Sequence, residues 1–349
     1  MHSGVNPKRL VGEMQTPDIS VVFTTFNETR EIDTLLGSIA RQELNGLTIE
    51  VLMLDAGGYE ETRARSRLGQ FSDRLVFFAD QGLSRTKSLN KLFEHATADI
   101  IVRLDARSRI TSDYLRRIYQ LFRESGASAV GGVMMPTADE GTQRIIAEVM
   151  KCPFSFGGAK ARNRSYRGVA DSVYLGAYDR RKCGFIDEWF DDEQPRISED
   201  SDLNFRIRKN GGVIFIDGQI EVAYEPRDTL GKFFRLSYNY GVGRGIFVIK
   251  HRILTAFRQW VPLIALLLGG ALMIYGFVNP VAWWALVGLS IAYLALCATM
   301  SFRLARSPED FLKAMMAFCL CHFGWVTGFL LAPAVYFRAA RLQNRVEAQ

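Results

Sequence analysis

The sequence lacks several short motifs that would assign it to a common class. Its five cysteines form no Cys-x-x-Cys pair and no zinc-ligand spacing, so we expect neither a zinc module nor a disulfide framework. The first 17 residues contain no long apolar stretch, which predicts no signal peptide and a first domain that stays in the cytoplasm. No Gly-x-Gly-x-x-Gly follows the first apolar strand, which excludes a dinucleotide-binding dehydrogenase.

Acidic residues are scarce in the last third of the chain, and this decides how the net charge of +6 is interpreted. Residues 228–349 carry twelve Lys or Arg against four Asp or Glu, a net charge of +8, whereas residues 1–227 carry −2. The basic part also contains the long apolar runs. Basic residues beside apolar runs favour contact with a membrane surface and not with nucleic acid.

Short apolar strands alternate with helical patterns between residues 18 and 135. This alternation predicts an α/β fold with a mostly parallel sheet covered by helices. A further helix is predicted at 198–209, followed by two strands at 213–216 and 220–224. Ligands of such sheets bind beyond the carboxyl ends of the strands, so the strand ends are the first place to look for a site.

Two apolar runs, 260–278 and 281–301, are long enough to cross a bilayer and are separated only by Asn279 and Pro280. We expect a transmembrane hairpin whose two basic ends lie in the cytoplasm. Residues 228–259, just before it, are amphipathic and basic, which is typical of a segment in the membrane interface.

A third apolar run, 311–337, contains Lys313 and His322 and leaves two alternatives open. It either crosses the membrane, which we favour, or bends at its glycines and Pro333 and returns. We expect His322 to be neutral and hydrogen-bonded to a neighbouring helix. The predicted domains are an N-terminal extension (1–17), a catalytic domain (18–227), an interface segment (228–259), a transmembrane region of two or three helices (260–337) and a basic tail (338–349).

Acidic residues end two predicted strands and begin a predicted helix. Asp55 and Asp105 follow apolar strands, and Glu199 and Asp200 begin the helix at 198–209. Turn formation and the helix dipole are ordinary explanations for such acids. A functional explanation is equally open: Asp55 would accept a hydrogen bond from a nucleotide base, and Asp105 suits a metal or a diphosphate.

Taken in order, these segments resemble the family 2 glycosyltransferases over roughly residues 18–250, and most closely the succinoglycan-type exopolysaccharide enzymes with C-terminal membrane helices. The segments that carry the resemblance are Thr-Thr-Phe-Asn-Glu at 24–28, Leu-Asp-Ala-Gly at 54–57, Gly-Leu-Ser-Arg-Thr-Lys-Ser-Leu-Asn at 82–90, Arg-Leu-Asp-Ala-Arg at 103–107 and Ser-Glu-Asp-Ser-Asp-Leu at 198–203. The resemblance implies a GT-A fold, a Rossmann-like mixed sheet that binds a nucleotide-sugar, followed by interface and transmembrane helices.

The resemblance also implies roles for individual residues. Asp200 matches the catalytic base of an inverting transfer, and Glu199 would position the acceptor or the base. Arg85 and Lys87 are equally compatible with a solvated helix face, and Arg244 with a membrane-surface arginine. The residues that the resemblance assigns to nucleotide-sugar binding are Thr25, Asn27, Glu28, Asp55, Arg85, Lys87, Asp105, Arg107 and Arg244.

The family's Asp-x-Asp metal motif is altered here to Asp105-Ala-Arg107. Arginine has no lone pair to offer a metal. Either Asp105 holds Mg²⁺ or Mn²⁺ together with water and donor phosphates, which we favour, or Arg107 itself pairs with the diphosphate.

The expected function is a membrane-bound inverting hexosyltransferase of exopolysaccharide or cell-envelope glycan synthesis. We expect a UDP-sugar donor, a lipid-linked or polysaccharide acceptor, and a place in the cytoplasmic (inner) membrane, as a homo-oligomer or beside other envelope glycan enzymes. The alternatives are a processive polysaccharide synthase and a catalytically degenerate scaffold of the same fold.

Overall fold

The computed structural model describes residues 16–156, 159–191, 198–253 and 257–347, without the side chains of residues 258 and 339–347. Most of the predicted N-terminal extension, residues 1–17, lies outside the described residues. Four further short stretches, 157–158, 192–197, 254–256 and 348–349, also lie outside them.

Nine strands form one sheet in the order β3-β2-β1-β4-β8-β6-β9-β5, with β7 paired to β9. The strands are β1 Ile19–Thr25, β2 Ile49–Asp55, β3 Leu75–Ala79, β4 Ile100–Arg103, β5 Ser108–Ile110, β6 Ala129–Pro136, β7 Arg167–Val169, β8 Ala177–Asp179 and β9 Ile214–Tyr224. Strands β1 to β4 are parallel to one another. The sheet is nevertheless mixed, because β8 runs antiparallel between β4 and β6.

Eleven helices belong to the described part of the chain. They are α1 Thr29–Ala40, α2 Glu61–Leu68, α3 Arg85–His95, α4 Tyr114–Ser125, α5 Gly141–Lys151, α6 Pro153–Phe156, α7 Glu199–Lys209, α8 Leu230–His251, α9 Val261–Tyr275, α10 Val281–Leu304 and α11 Pro308–Glu347. The two strands predicted at 213–216 and 220–224 are one strand, β9, beside an irregularity in β6.

The sheet separates two hydrophobic cores because side chains alternate along each strand. In β1, Val21 and Phe23 belong to the core on one side and Val22 to the core on the other. Burial on both faces explains why the apolar runs Val21–Phe23 in β1 and Val51–Leu54 in β2 are not interrupted by polar residues. This buried platform fixes the carboxyl ends of β1, β2 and β4 at one edge of the sheet.

Helices α10 and α11 contain apolar stretches long enough to cross a membrane, at Val281–Leu304 and Pro308–Arg338, whereas α9 is shorter. Their surfaces carry large exposed apolar side chains, such as Trp284, which is 76% exposed. His322 hydrogen-bonds through both ring nitrogens, to the Phe154 carbonyl at 2.9 Å and the Tyr293 hydroxyl at 3.1 Å. The third apolar run is one continuous helix, and it does not bend back within the described residues.

Close contact between α8 and α11 explains the glycines of the third apolar run. A Cβ on Gly328 would lie 2.0 Å from the Tyr238 carbonyl oxygen, and one on Gly241 would lie 2.0 Å from the Trp325 carbonyl oxygen. Two Gly-x-x-x-Gly segments, 241–245 and 324–328, therefore bring the helix backbones together, as small residues do between membrane helices.

We expect Gly328→Leu to destabilise the protein by about 3 kcal/mol or more, because the new side chain meets backbone that no rotamer change can move. The thermal unfolding midpoint in neutral detergent measures this loss. Gly288→Leu on α10 is the matched control, since a Cβ at Gly288 meets nothing within 4 Å. Equal midpoints for the two variants would contradict the close contact of α8 and α11.

Candidate active site

Four charged side chains meet where β4 ends and α3 and α7 begin. Arg103, the last residue of β4, places its guanidinium 2.7 Å from the Glu199 carboxylate and 3.4 Å from that of Asp105. Arg85, the first residue of α3, lies 2.6 Å from Asp105 and 3.3 Å from Glu199. The sequence predicted Arg85, Asp105 and Glu199 as site residues in three separate motifs. In the fold all three lie together around Arg103.

The two adjacent acids of α7 have opposite pKa shifts. Burial alone would raise the pKa of Glu199, but Arg103 and Arg85 outweigh it and hold that pKa below its usual value. Burial raises the pKa of Asp200, and the negative charge of Glu199 raises it further. Acids whose surroundings separate their pKa values in this way are typical of acid–base sites.

The arginine pair has a similar effect on Asp105. Burial would raise its pKa, yet Arg85 and Arg103 hold the pKa below the usual range. Asp105 is therefore ionised and already neutralised by two guanidinium groups.

Thr25 and Asp55 lie opposite each other at the ends of β1 and β2. One Asp55 carboxylate oxygen accepts from the backbone of Gly57, Gly58 and Tyr59, at 3.1, 2.6 and 2.8 Å, so the expected turn is present. The other Asp55 oxygen and the Thr25 hydroxyl are buried without a hydrogen-bond partner. Buried polar atoms without a partner are costly, and these two are suited to a ligand's polar groups.

The loop after β1 is held close to the loop after β2. Asn27 has a left-handed backbone (φ 54°), and a Cβ on Gly57 would lie 2.3 Å from the Asn27 nitrogen. Glycine at position 57 is thus required for this approach. Asn27 itself shapes the turn beside Thr25 and Asp55.

Arg107 faces the start of α1. Its guanidinium lies 2.8 Å from the Glu31 carboxylate and 3.3 Å from that of Glu28. Burial raises the pKa of Glu28, and Arg107 only partly opposes the shift. Arg107 and Glu28 both line the central cavity. The arginine at the altered last position of the Asp-x-Asp motif therefore forms ion pairs in the cavity wall.

Of the two remaining basic residues predicted to bind the donor, one lines the cavity and the other does not. Arg244 lines the same cavity from α8, with its guanidinium 5.3 Å from the centre of the Phe247 ring. Lys87 is exposed on α3 and lies outside the cavity lining. The structure therefore places Arg244, but not Lys87, in the lining of the cavity that contains the acidic cluster.

One continuous cavity of about 2320 Å³ connects this cluster with an apolar groove. Asp105, Glu199 and Asp200 line its polar end, and side chains of α9, α10 and α11 such as Leu286 and Val326 line its other end. A ligand with a polar head and an apolar chain matches the two ends.

The candidate site offers few side chains that could ligate a divalent metal. Among the described residues, no three His, Cys, Asp or Glu side chains form a group that could hold a metal ion. Asp105 alone fits a metal that takes its other ligands from water and donor phosphates, as Mg²⁺ often does. The described side chains do not fit a metal enclosed by protein ligands.

Sequence reasoning missed Arg103, which connects Asp105 with Glu199. The available signal was a single charged residue in the apolar strand β4, two positions before Asp105. Alternation along a strand puts two such residues on the same face. Arg162 gave no comparable signal.

Comparison with known proteins gives consistent matches. The family model "Glycosyl transferase family 2" matches residues 20–179. "Succinoglycan biosynthesis protein ExoA" of Rhizobium meliloti is 26% identical over 329 residues, covering 91% of this chain and 95% of that protein.

A second relative is the dolichyl N-acetyl-alpha-D-glucosaminyl phosphate 3-beta-D-2,3-diacetamido-2,3-dideoxy-beta-D-glucuronosyltransferase of Methanococcus voltae, 20% identical over 241 residues, covering 66% of this chain and 74% of that protein. Among solved structures, the mannosyltransferase PcManGT from Pyrobaculum calidifontis, in complex with GDP-Man and Mn²⁺, has a TM-score of 0.50 at 17% identity. That match covers 96% of this chain and 89% of that one. The shared fold confirms the predicted GT-A-like mixed sheet.

Proposed function

We propose that this glycosyltransferase, whose residues 20–179 match the family 2 model, moves one sugar, with inversion, from a nucleotide-sugar to a lipid-linked acceptor. The observation that carries this proposal is the pair Glu199 and Asp200, two adjacent acids with opposite pKa shifts in a cavity that continues into an apolar groove.

Asp200 serves as the base. The acceptor hydroxyl oxygen attacks the anomeric carbon and gives its proton to Asp200, while the bond from that carbon to the donor phosphate breaks. The nucleoside diphosphate leaves with the bonding electrons. Glu199 stays ionised, held by Arg103, and its charge supports proton uptake by Asp200.

The donor occupies the polar end of the cavity. The unpartnered oxygens of Thr25 and Asp55 suit the base and ribose, and a UDP-sugar is the donor we favour. Arg85 and Arg244 line the cavity where the departing diphosphate needs positive charge.

The proposal allows one way of binding a divalent metal. Mg²⁺ or Mn²⁺ would be held by Asp105 and the donor phosphates after Arg85 turns away from that carboxylate. When bound, the metal would supply Lewis-acid stabilisation of the leaving diphosphate.

The continuation of the cavity between the apolar helices supports a lipid-linked acceptor. Arg144 on α5 pairs with Asp310 at the start of α11 at 2.6 Å, so the turn between α10 and α11 is attached to the catalytic domain. Arg303 and Arg306 lie at this turn. Under the positive-inside tendency, these residues support a catalytic domain at the cytoplasmic face of the inner membrane.

Labelled nucleotide-sugars test this proposal with the full chain in neutral detergent and a membrane lipid extract. We expect label from one donor, a UDP-sugar, in the chloroform-soluble fraction as one sugar per lipid, and stronger labelling with Mn²⁺ than with a chelator. No transfer from any donor would overturn the proposal. Label in an unextractable polymer would instead indicate a processive synthase, and equal labelling with chelator would remove the metal from the proposal.

A further inference from the structure

Arg162 is a largely enclosed guanidinium without an acidic partner among the described residues. One of its Nη atoms donates to the Met150 carbonyl at 3.0 Å, and the guanidinium stacks over the Phe156 ring at 4.3 Å. The titratable groups that face it are uncharged at neutral pH: Tyr174, Tyr224, Tyr240 and Cys321. Burial lowers the pKa of Arg162, as expected for a charge without compensation.

This isolated charge differs from those of the other arginines around the acidic cluster. Arg85, Arg103 and Arg107 each lie within 3.3 Å of a carboxylate. Enclosed charges are normally paired, because removing a charge from water without a partner is costly. Among these four arginines, Arg162 alone needs a negative partner from outside the described chain.

The position of Arg162 identifies that partner. Arg162 lines the same cavity as Asp200 and the groove side chains Tyr293 and Val326. Its neighbour Tyr240 interacts with Asp200 as well, and another neighbour, Cys321, belongs to α11 beside the groove. A ligand that reaches both Asp200 and the groove passes Arg162. The part of the ligand that lies there carries negative charge and joins a sugar to an apolar chain.

We propose that Arg162 binds the phosphate that joins the acceptor's glycan to its lipid, so that the acceptor is a lipid phosphate or diphosphate sugar. This inference rests on the proposed function. The guanidinium offers paired donors that match phosphate oxygens. The apolar chain then lies along α9, α10 and α11, and the sugar hydroxyl reaches Asp200.

Binding experiments separate this proposal from the donor site because they need no transfer. The probes are farnesyl phosphate, farnesol, inorganic phosphate and UDP, each titrated into the full chain in neutral detergent. We expect the wild-type protein to bind farnesyl phosphate at least about tenfold more tightly than farnesol and inorganic phosphate.

Arg162→Gln should abolish the preference for farnesyl phosphate over farnesol and leave the UDP affinity unchanged. Arg162→Lys should keep most of the preference, because it keeps the charge. Arg164→Gln is the matched control: Arg164 is an exposed arginine two residues away that pairs with Glu221, and its loss should change nothing. The unfolding midpoint of each variant verifies its fold.

Three results would overturn the inference. They are a wild-type protein without the preference, an Arg162→Gln variant that keeps it, and an Arg162→Gln variant that loses UDP affinity instead. A wild-type protein that binds no nucleotide at all would count against the proposed function, whereas the lipid phosphate result would stand by itself.

Discussion

Asp200→Asn should lower kcat for sugar transfer by about 10³-fold or more, because an amide cannot take the proton of the attacking hydroxyl. Donor affinity, measured by calorimetry with UDP, should remain within about twofold, since the neutral amide keeps the size of the side chain. Asp228→Asn is the charge-matched control and should be fully active, because Asp228 is an exposed acid just before α8 that pairs with Lys232. Turnover near wild type in Asp200→Asn would refute the assignment of the base.

The pH profile of kcat/KM gives an independent readout of the same site. Because burial and Glu199 raise the pKa of Asp200, activity should fall as the pH drops through a value above the ordinary aspartate pKa of 3.8. Glu199→Gln removes one of the two causes, so the acidic limb should move to lower pH even though kcat falls. An unmoved limb would mean that the limb does not report Asp200.

The sequence predicted the edge of the sheet where the site lies. Asp55 and Asp105 could be placed because Asp55 ends the apolar strand β2 and Asp105 follows the end of β4 by two residues, and Glu199 and Asp200 because they begin a helix. Such local patterns depend on neighbours in the chain. They carry no information about β8, three residues long, which inserts antiparallel and makes the sheet mixed.

Contacts between distant segments account for what the sequence did not predict. Arg162 resembles any basic loop residue until the fold surrounds it with tyrosines and a cysteine. Gly324 and Gly328 are typical of helix bends, yet their function is to let the backbone of α8 approach α11. The ordered motifs predicted the family, whereas the environment of each charge required the tertiary structure.

Arg103→Met should destabilise the protein by about 3–5 kcal/mol at neutral pH, because it leaves Asp105 and Glu199 close together with less compensation. Arg103 is 4% exposed, so water cannot replace its charge. Arg167→Met is the control: the Arg167 side chain is 55% exposed and pairs with Glu124 and Asp217 at the surface, so its loss should cost at most about 1 kcal/mol. Denaturant titration in neutral detergent measures both losses.

The dependence of this loss on pH identifies its origin. In the wild type, Asp105 and Glu199 have folded-state pKa values below their ordinary 3.8 and 4.5, so their pairing stabilises the fold above those values and is lost as the pH falls through the lowered ones. In Arg103→Met only Arg85 still opposes burial and mutual repulsion, so both folded-state pKa values rise above their wild-type values and the ionised carboxylates contribute less stability at neutral pH. The stability difference from wild type should therefore be largest at neutral pH and shrink as the pH falls toward about 5. A difference that is the same at both pH values would indicate lost packing of the Arg103 side chain and not two carboxylates left with one arginine in place of two.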